Sequence, residues 1–329
     1  MDHANRKICL IGGSGRSGTT ILKKKFSNHP NMASIRGREL RFPIDPDGLV
    51  DFCTNFDKHW SPYLWDCKVK RLRKMLKQVS GNHFLLNLYS YVINKYIQDY
   101  FGIVIAPRYS GLNGSRFSPN MDQLIDQLID DLTQFKYDGY WMGSSLLDRK
   151  EMYYNKIPID DIYRLIGDFW KNVIEDICIQ QGGKKAFVED NTLIILCFDT
   201  ILKLTENAKL VHIYRDPRDV VASYINMKWS PKSVEQASYW YKGIINEWIT
   251  KKEILPIDSF IELRLEDLVD NPHDILHSIC EFWEINWDDR LLDTKLNQSN
   301  TGRWHAEFSE KDKIIVNNIL KDEISYLGY

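Results

Sequence analysis

No stretch of the 329 residues approaches the roughly 18 consecutive apolar residues of a membrane-spanning helix. The amino-terminal run KICLIG is too short for a signal-peptide core and ends in glycine. The expectation is a cytoplasmic chain with no leader and no membrane span. Cysteine is sparse: Cys9, Cys53, Cys67, Cys178, Cys197 and Cys280 are widely spaced, and no two form a CxxC pair. That pattern argues against a zinc ribbon, a thioredoxin-like couple and a disulfide framework, and predicts buried free thiols. Charge of one sign is lacking as well. With 43 Lys and Arg against 45 Asp and Glu the net charge is −2, so no global field draws nucleic acid or an anionic membrane. Any anion site must be built locally. Repeats and low-complexity linkers are also missing. Apolar residues are present at 43% and aromatics at 12%, which is enough to bury a sizeable core and excludes disorder.

Four short apolar runs read as strands covered on both faces: Lys7–Gly12 (KICLIG), 185–189 (KAFVE), 210–214 (LVHIY) and 260–265 (FIELRL). Helical periodicity falls between and after them, at 19–28, 85–100, Ile159–Gln180, 233–253 and Pro272–Trp283. Strands alternating with helices predict an α/β fold with right-handed crossovers. Residues 45–180 interrupt that rhythm. They are rich in aromatics and poor in strand signal, and they read as a mostly helical insertion within a single domain spanning 1–329. The basic run at 68–77 (KVKRLRKMLK) reads as a solvated helix face, with a groove for an anionic acceptor as the alternative.

The first strand runs directly into Gly12-Gly13-Ser14-Gly15-Arg16-Ser17-Gly18-Thr19-Thr20 and then into a helix. Glycines let successive N–H groups turn inward, and the helix start adds unsatisfied donors and a positive dipole end. Ser17, Thr19 and Thr20 add hydroxyls, and Arg16 adds a fixed cation. Gly13 to Gly18 keeps the spacing of a nucleoside-triphosphatase loop, but Thr19 stands where that loop carries Lys. No apolar strand is read as ending in an Asp placed to hold magnesium. The pattern points to a phosphate-like group bound without a metal.

The strand at 210–214 runs into Arg215-Asp216-Pro217-Arg218-Asp219-Val220-Val221-Ala222-Ser223. Pro217 suits the first position of a helix with Asp216 as its N-cap. Arg215 then stands at a strand's carboxyl end, and Ser223 about two turns into the helix. The two can converge on one anion beside that helix, or Arg215 can pair with Asp216 or Asp219. Two anion sites at two strand ends suit a nucleotide with separated phosphates.

The segment GSGRSGTTIL resembles the 5′-phosphosulfate loop of the sulfotransferases that use 3′-phosphoadenosine-5′-phosphosulfate. Arg215 and Ser223, eight residues apart, resemble that family's 3′-phosphate site. LRLEDLVDNP resembles a structural stretch that follows, and Gly302-Arg303-Trp304 resembles the C-terminal Gly-x-Trp element that closes over the nucleotide. The resemblance implies a P-loop-like three-layer sandwich around a central parallel sheet. It also implies metal-independent transfer of a sulfuryl group to an acceptor hydroxyl. Gly15, Arg16, Ser17, Gly18, Thr19, Thr20, Arg215, Ser223, Gly302, Arg303 and Trp304 would hold the donor and its product, 3′-phosphoadenosine-5′-phosphate. Arg16 would act on the leaving oxygen by charge and hydrogen bonding.

The acceptor must lose a proton, so a general base is expected. Branches of the family with a Glu base carry it shortly after the first helix. Here Glu39 lies 19 residues past Thr20, in IRGRELRFP, at the start of a second strand-like segment. Glu39 is the expected base, with pairing to Arg36, Arg38 or Arg41 as the competing role, and with His59 and His83 as alternatives from the branch that uses His. One departure stands out. Where the family often has Lys in a pattern like E-K-T-P, this chain has Glu189-Asp190-Asn191-Thr192. Arg16, Lys184 or Lys185 would have to supply that cation. A carbohydrate-type acceptor is favoured, with a protein tyrosine or a small molecule as alternatives; Trp60, Trp65, Tyr140 and Trp141 read either as surfaces that stack on sugar rings or phenols or as core.

Overall fold

The protein is described from a computed structural model over residues 6–81, 112–143, 150–293 and 301–329. The helix expected at 85–100, and His83, lie outside these residues.

In chain order the main elements are β1 (Lys7–Gly12), α1 (Thr19–Phe26), β2 (Met32–Ala33), α2 (Pro62–Ser80), α3 (Met121–Asp131), β3 (Phe135–Asp138), β4 (Glu151–Tyr154), α4 (Ile159–Gln180), β5 (Ala186–Asp190), β6 (Ala208–Tyr214), α5 (Pro217–Tyr224), α6 (Val234–Lys252), β7 (Phe260–Arg264), α7 (Leu265–Asp270) and α8 (Pro272–Trp283). The chain forms two compact units. One takes in 40–183 and 203–206, and the other 5–39, 184–202 and 207–329.

The second unit holds a five-stranded sheet in the order β2-β5-β1-β6-β7. Every pairing in it is parallel. Its strands are short and apolar because both faces are covered. Cys9, Ile11, Val211 and Ile213 pack on one face with Leu22 and Phe26 of α1 and with Leu276, Ile279 and Trp283 of α8. On the other face His212 packs on Trp248 of α6 at 4.9 Å between ring centroids. A Cβ on Gly12 would collide with Ile194 and Ile195 at 2.8 and 2.7 Å, because that short helical turn lies against β1. This is the expected layered α/β architecture with a parallel sheet. The connections run from β1 to one side and from β6 to the other, so the direction reverses beside β1. Ligands of open α/β sheets bind at such a switch point, outside the strands' carboxyl ends.

The first unit is built on α2, α3 and α4. The β3–β4 hairpin in it is antiparallel, and its strand signal is not legible in the sequence. Trp65 is fully buried there and donates to the Leu132 carbonyl at 3.2 Å, so it is core and not a stacking surface. The basic run is consumed locally. Lys68 donates to the carbonyls of Asp51, Phe52 and Thr54 at 2.5, 3.2 and 2.9 Å. Lys70 pairs with Asp66 at 2.9 Å, and Lys77 with Asp122 and Asp126 at 3.1 and 3.0 Å. Among the described residues no helix is long and apolar enough to cross a membrane. None of the six cysteines is joined in a disulfide.

Candidate active site at the carboxyl ends of the sheet

The loop after β1 takes its shape from two backbone requirements. Gly13 donates to the Thr192 carbonyl at 2.8 Å. A Cβ on it would lie 2.4 Å from Ser17 Oγ and 2.7 Å from the Ile213 carbonyl oxygen, so only glycine fits. Gly18, the residue before α1, has φ +109°, the left-handed region that glycine enters without penalty. Arg16 shares that region at φ +58°. A non-glycine residue pays strain there, and such strain concentrates at functional sites. At the helix start the N–H groups of Ile21 and Leu22 return to the Gly18 carbonyl. The donors before them point out of the helix.

The loop suits an anion. Ser17 is fully buried, yet its hydroxyl finds no hydrogen-bond partner among the described residues. A buried hydroxyl without a partner is costly, and native proteins rarely keep one without a use. Tyr224 braces the loop from α5 by donating its hydroxyl to the Ser14 carbonyl. Burial pushes the Tyr224 phenol well above its ordinary pKa, so it stays a neutral donor. Beside it Trp229 is half exposed, packed edge-on to Tyr224 at 5.6 Å and to Trp240 at 6.1 Å. A Cβ on Gly15 would meet its ring at 3.6 Å.

Arg16 is exposed, and its Nε donates to Ser223 Oγ at 2.8 Å. The loop residue and the helix residue, read from sequence as parts of two separate grips, touch directly.

Arg215 follows β6 and is buried. Its guanidinium pairs with Asp219 at 3.3 Å, while Arg218 takes Asp216 at 2.8 Å. Asp216 caps α5 by accepting from the Arg218 N–H at 2.9 Å, with Pro217 at the first helical position, as the sequence predicts. Asp219 has no solvent exposure and also accepts from the backbone N–H of Gly302 at 2.7 Å and of Trp304 at 3.1 Å. One carboxylate therefore orients Arg215 and fastens the Gly302–Trp304 segment to the same helix. Trp304 is buried under the Arg218 guanidinium, 4.4 Å from its ring centroid. Arg303 is turned to Glu307 at 2.7 Å.

Glu39 is half-buried, but not at the start of a strand. The short β2 ends at Ala33, a turn with Gly37 at φ +69° breaks the extended run, and Glu39 follows in irregular chain. Arg36 donates to the Ser27 carbonyl at 3.2 Å, and Arg41 pairs with Asp45 at 2.9 Å. His59 is exposed within the other compact unit.

Two sequence expectations are corrected at β5. The strand does end in an acid, Asp190, beside Ile11 of β1. Lys184 and Lys185 precede that strand and so lie at its amino end, away from the loop. Lys184 donates to the Pro30 carbonyl at 2.5 Å. The cation at the carboxyl end is Lys23 of α1, 2.8 Å from Asp190 and 3.2 Å from Glu189. Lys23 is not singled out by the sequence, whereas Asp219 is legible there as a possible partner for Arg215. The Arg215–Asp219 pair is one of the two that the sequence allows, but the bonds from Gly302 and Trp304 to Asp219 are not legible there.

The sulfotransferase family profile matches residues 112–289. That is more than half of the chain, and the chain belongs to the sulfotransferase family. The matched segment contains Arg215 and Ser223 but not the loop at 12–20, which stands on its own geometry. Similar solved structures include the sulfotransferase domain from the Synechococcus PCC 7002 olefin synthase. It is 16% identical with a TM-score of 0.48, covering 98% of this chain and 97% of that one. The sulfotransferase domain from the curacin biosynthetic pathway is 15% identical with a TM-score of 0.42, covering 92% and 83%. Sulfotransferase STF1 from Mycobacterium tuberculosis H37Rv is 11% identical with a TM-score of 0.46, covering 97% and 77%. No curated protein matches the chain.

Proposed function

We propose that this protein transfers a sulfuryl group from 3′-phosphoadenosine-5′-phosphosulfate to a hydroxyl of a carbohydrate-type acceptor, with Glu39 as general base. The observation that carries the reading is the union of the Gly13–Thr20 loop with α5 through Arg16 and Ser223. The loop, with the buried Ser17 hydroxyl, suits the 5′ end of the donor. Arg215, Ser223 and the Gly302–Trp304 segment suit its 3′-phosphate.

The donor supplies a sulfuryl group: the acceptor oxygen bonds to sulfur as the bond to the 5′-phosphate oxygen breaks, and that electron pair leaves with the phosphate. Negative charge builds on the sulfuryl oxygens and on the departing phosphate. Arg16, the hydroxyls of Ser17, Thr19 and Thr20, and the free N–H groups at the start of α1 are fixed donors for that charge, and such fixed donors lower the barrier. Arg16 keeps its proton and acts by hydrogen bonding. Glu39 receives the acceptor's proton on a carboxylate oxygen.

A carbohydrate acceptor is supported by two features. Arg36 and Arg38 are exposed on the Glu39 stretch and favour an anionic approach. Trp229 and Trp240, partly exposed beside the loop, present faces to a sugar ring. The test is an array of glycan, phenol and tyrosine-peptide acceptors with sulfur-labelled donor, run with wild type and Glu39→Gln. The expected result is label on glycan hydroxyls, with turnover about 10²–10⁴-fold lower in Glu39→Gln. Label only on phenols or peptides would overturn the acceptor assignment, and an unchanged rate in Glu39→Gln would overturn the base.

A further inference from the structure

Lys23 lies within α1, four residues past the Thr19 that opens the helix, and its side chain is almost fully enclosed at 5% exposure. Its ammonium meets Asp190 Oδ1 at 2.8 Å, the two Glu189 oxygens at 3.2 Å each, and the carbonyl oxygen of Arg38 at 2.5 Å. An ammonium has three N–H donors, and here every one is spent. Burial works against the charge, but the Glu189 and Asp190 carboxylates outweigh it and hold the Lys23 pKa above its ordinary value.

The fourth contact matters most. The Arg38 carbonyl belongs to the peptide group that carries the Glu39 nitrogen. Peptide planarity means that fixing this oxygen fixes the plane from which the Glu39 Cα departs. The segment has no regular secondary structure; Ile35 and Leu40 are buried on either side of Glu39, and Lys23 holds the peptide between them. This stretch lies between the end of β2 and the turns at 42–48, and the Arg38 N–H reaches the Ile35 carbonyl only at 3.4 Å. Lys23, by contrast, rides on the helix that the phosphate loop opens. One side chain therefore ties the Glu39 backbone to the loop's own helix and to the end of β5.

We propose that Lys23 is a positioning residue for Glu39, setting where its carboxylate stands by anchoring the residue-38 carbonyl to the β5 carboxylates. The inference rests on Glu39 being the base. It assigns a role to a lysine that the sequence does not single out.

The experiment compares kcat and the affinity for 3′-phosphoadenosine-5′-phosphate in Lys23→Arg, Glu39→Gln and the double variant. Lys23→Arg keeps the cation between the carboxylates but cannot reproduce a compact ammonium aimed at the carbonyl. A charge-balanced variant, Lys23→Met with Glu189→Gln and Asp190→Asn, serves if Lys23→Arg fails to fold. The expected result is nucleotide affinity within about threefold of wild type and kcat lowered on the order of 100-fold, as misplacing a catalytic group does. A Lys23 substitution made in the Glu39→Gln background should lower kcat no further. Effects that multiply, or a Lys23 variant with kcat within threefold of wild type, would show that Lys23 only holds the fold together and overturn the proposal. If Glu39→Gln alone leaves kcat unchanged, the base assignment fails first and the proposal falls with it.

Discussion

Arg16 Nε and Ser223 Oγ stand 2.8 Å apart across 207 residues of chain. The contact places the loop that opens α1 and the second turn of α5 at one point on the sheet's carboxyl edge. Ser223 accepts from Arg16, and in the proposed function its hydroxyl is a donor to the 3′-phosphate.

The first prediction concerns this pair. Ser223→Ala removes one hydroxyl from a helix that tolerates alanine well. The unfolding midpoint should stay nearly unchanged. Affinity for 3′-phosphoadenosine-5′-phosphate should fall roughly tenfold, the scale of one hydrogen bond to a charged group. Calorimetric titration alongside a melting curve checks both outcomes.

A second prediction follows from Asp219, which has three partners in a site without solvent. Asp219→Ala removes the carboxylate that faces the buried Arg215 and frees two backbone N–H groups. Loss of about 3–5 kcal/mol of stability is expected, together with weaker nucleotide binding. Urea unfolding with and without nucleotide separates the two effects. A variant of wild-type stability and affinity would show that the Gly302–Trp304 segment is held by other contacts.

The third prediction is a pH dependence. Burial disfavours the Glu262 carboxylate, but hydrogen bonds with His212, Lys252 and Trp248 outweigh that cost and bring its pKa to about 2, below the ordinary 4.5. The unfolded chain therefore binds this proton more readily. The resulting stabilisation is complete above about pH 4.5 and is lost as pH falls toward 2. Urea midpoints of wild type and Glu262→Gln should differ at pH 7 and converge in that acid window. A gap that stays constant with pH would refute the assignment.

The sheet was legible in the sequence because each parallel strand is a short apolar run bounded by turns. β1, α4 and α8 have the bounds that their patterns predict. The loop was legible because glycine and hydroxyl residues crowd into nine positions after a strand. What escaped were contacts between distant segments. The burial of Lys23 depends on Glu189 and Asp190 arriving from β5, and no local pattern encodes that. Likewise Asp219 gains its importance from Gly302 and Trp304, more than 80 residues away. The β3–β4 hairpin escaped because its first strand is exposed along its whole length and shows no inward face. Glu39 reads from the sequence as the start of a strand-like segment, but 39–41 are irregular chain after the turn at 36–37.

The most direct test of the account is a calorimetric comparison of 3′-phosphoadenosine-5′-phosphate with adenosine 5′-phosphate, on wild type and on Arg215→Ala. The account predicts that wild type binds the doubly phosphorylated nucleotide at least tenfold more tightly, and that the preference disappears in Arg215→Ala. Equal affinity for the two nucleotides in wild type, or a preference that survives in Arg215→Ala, would contradict it.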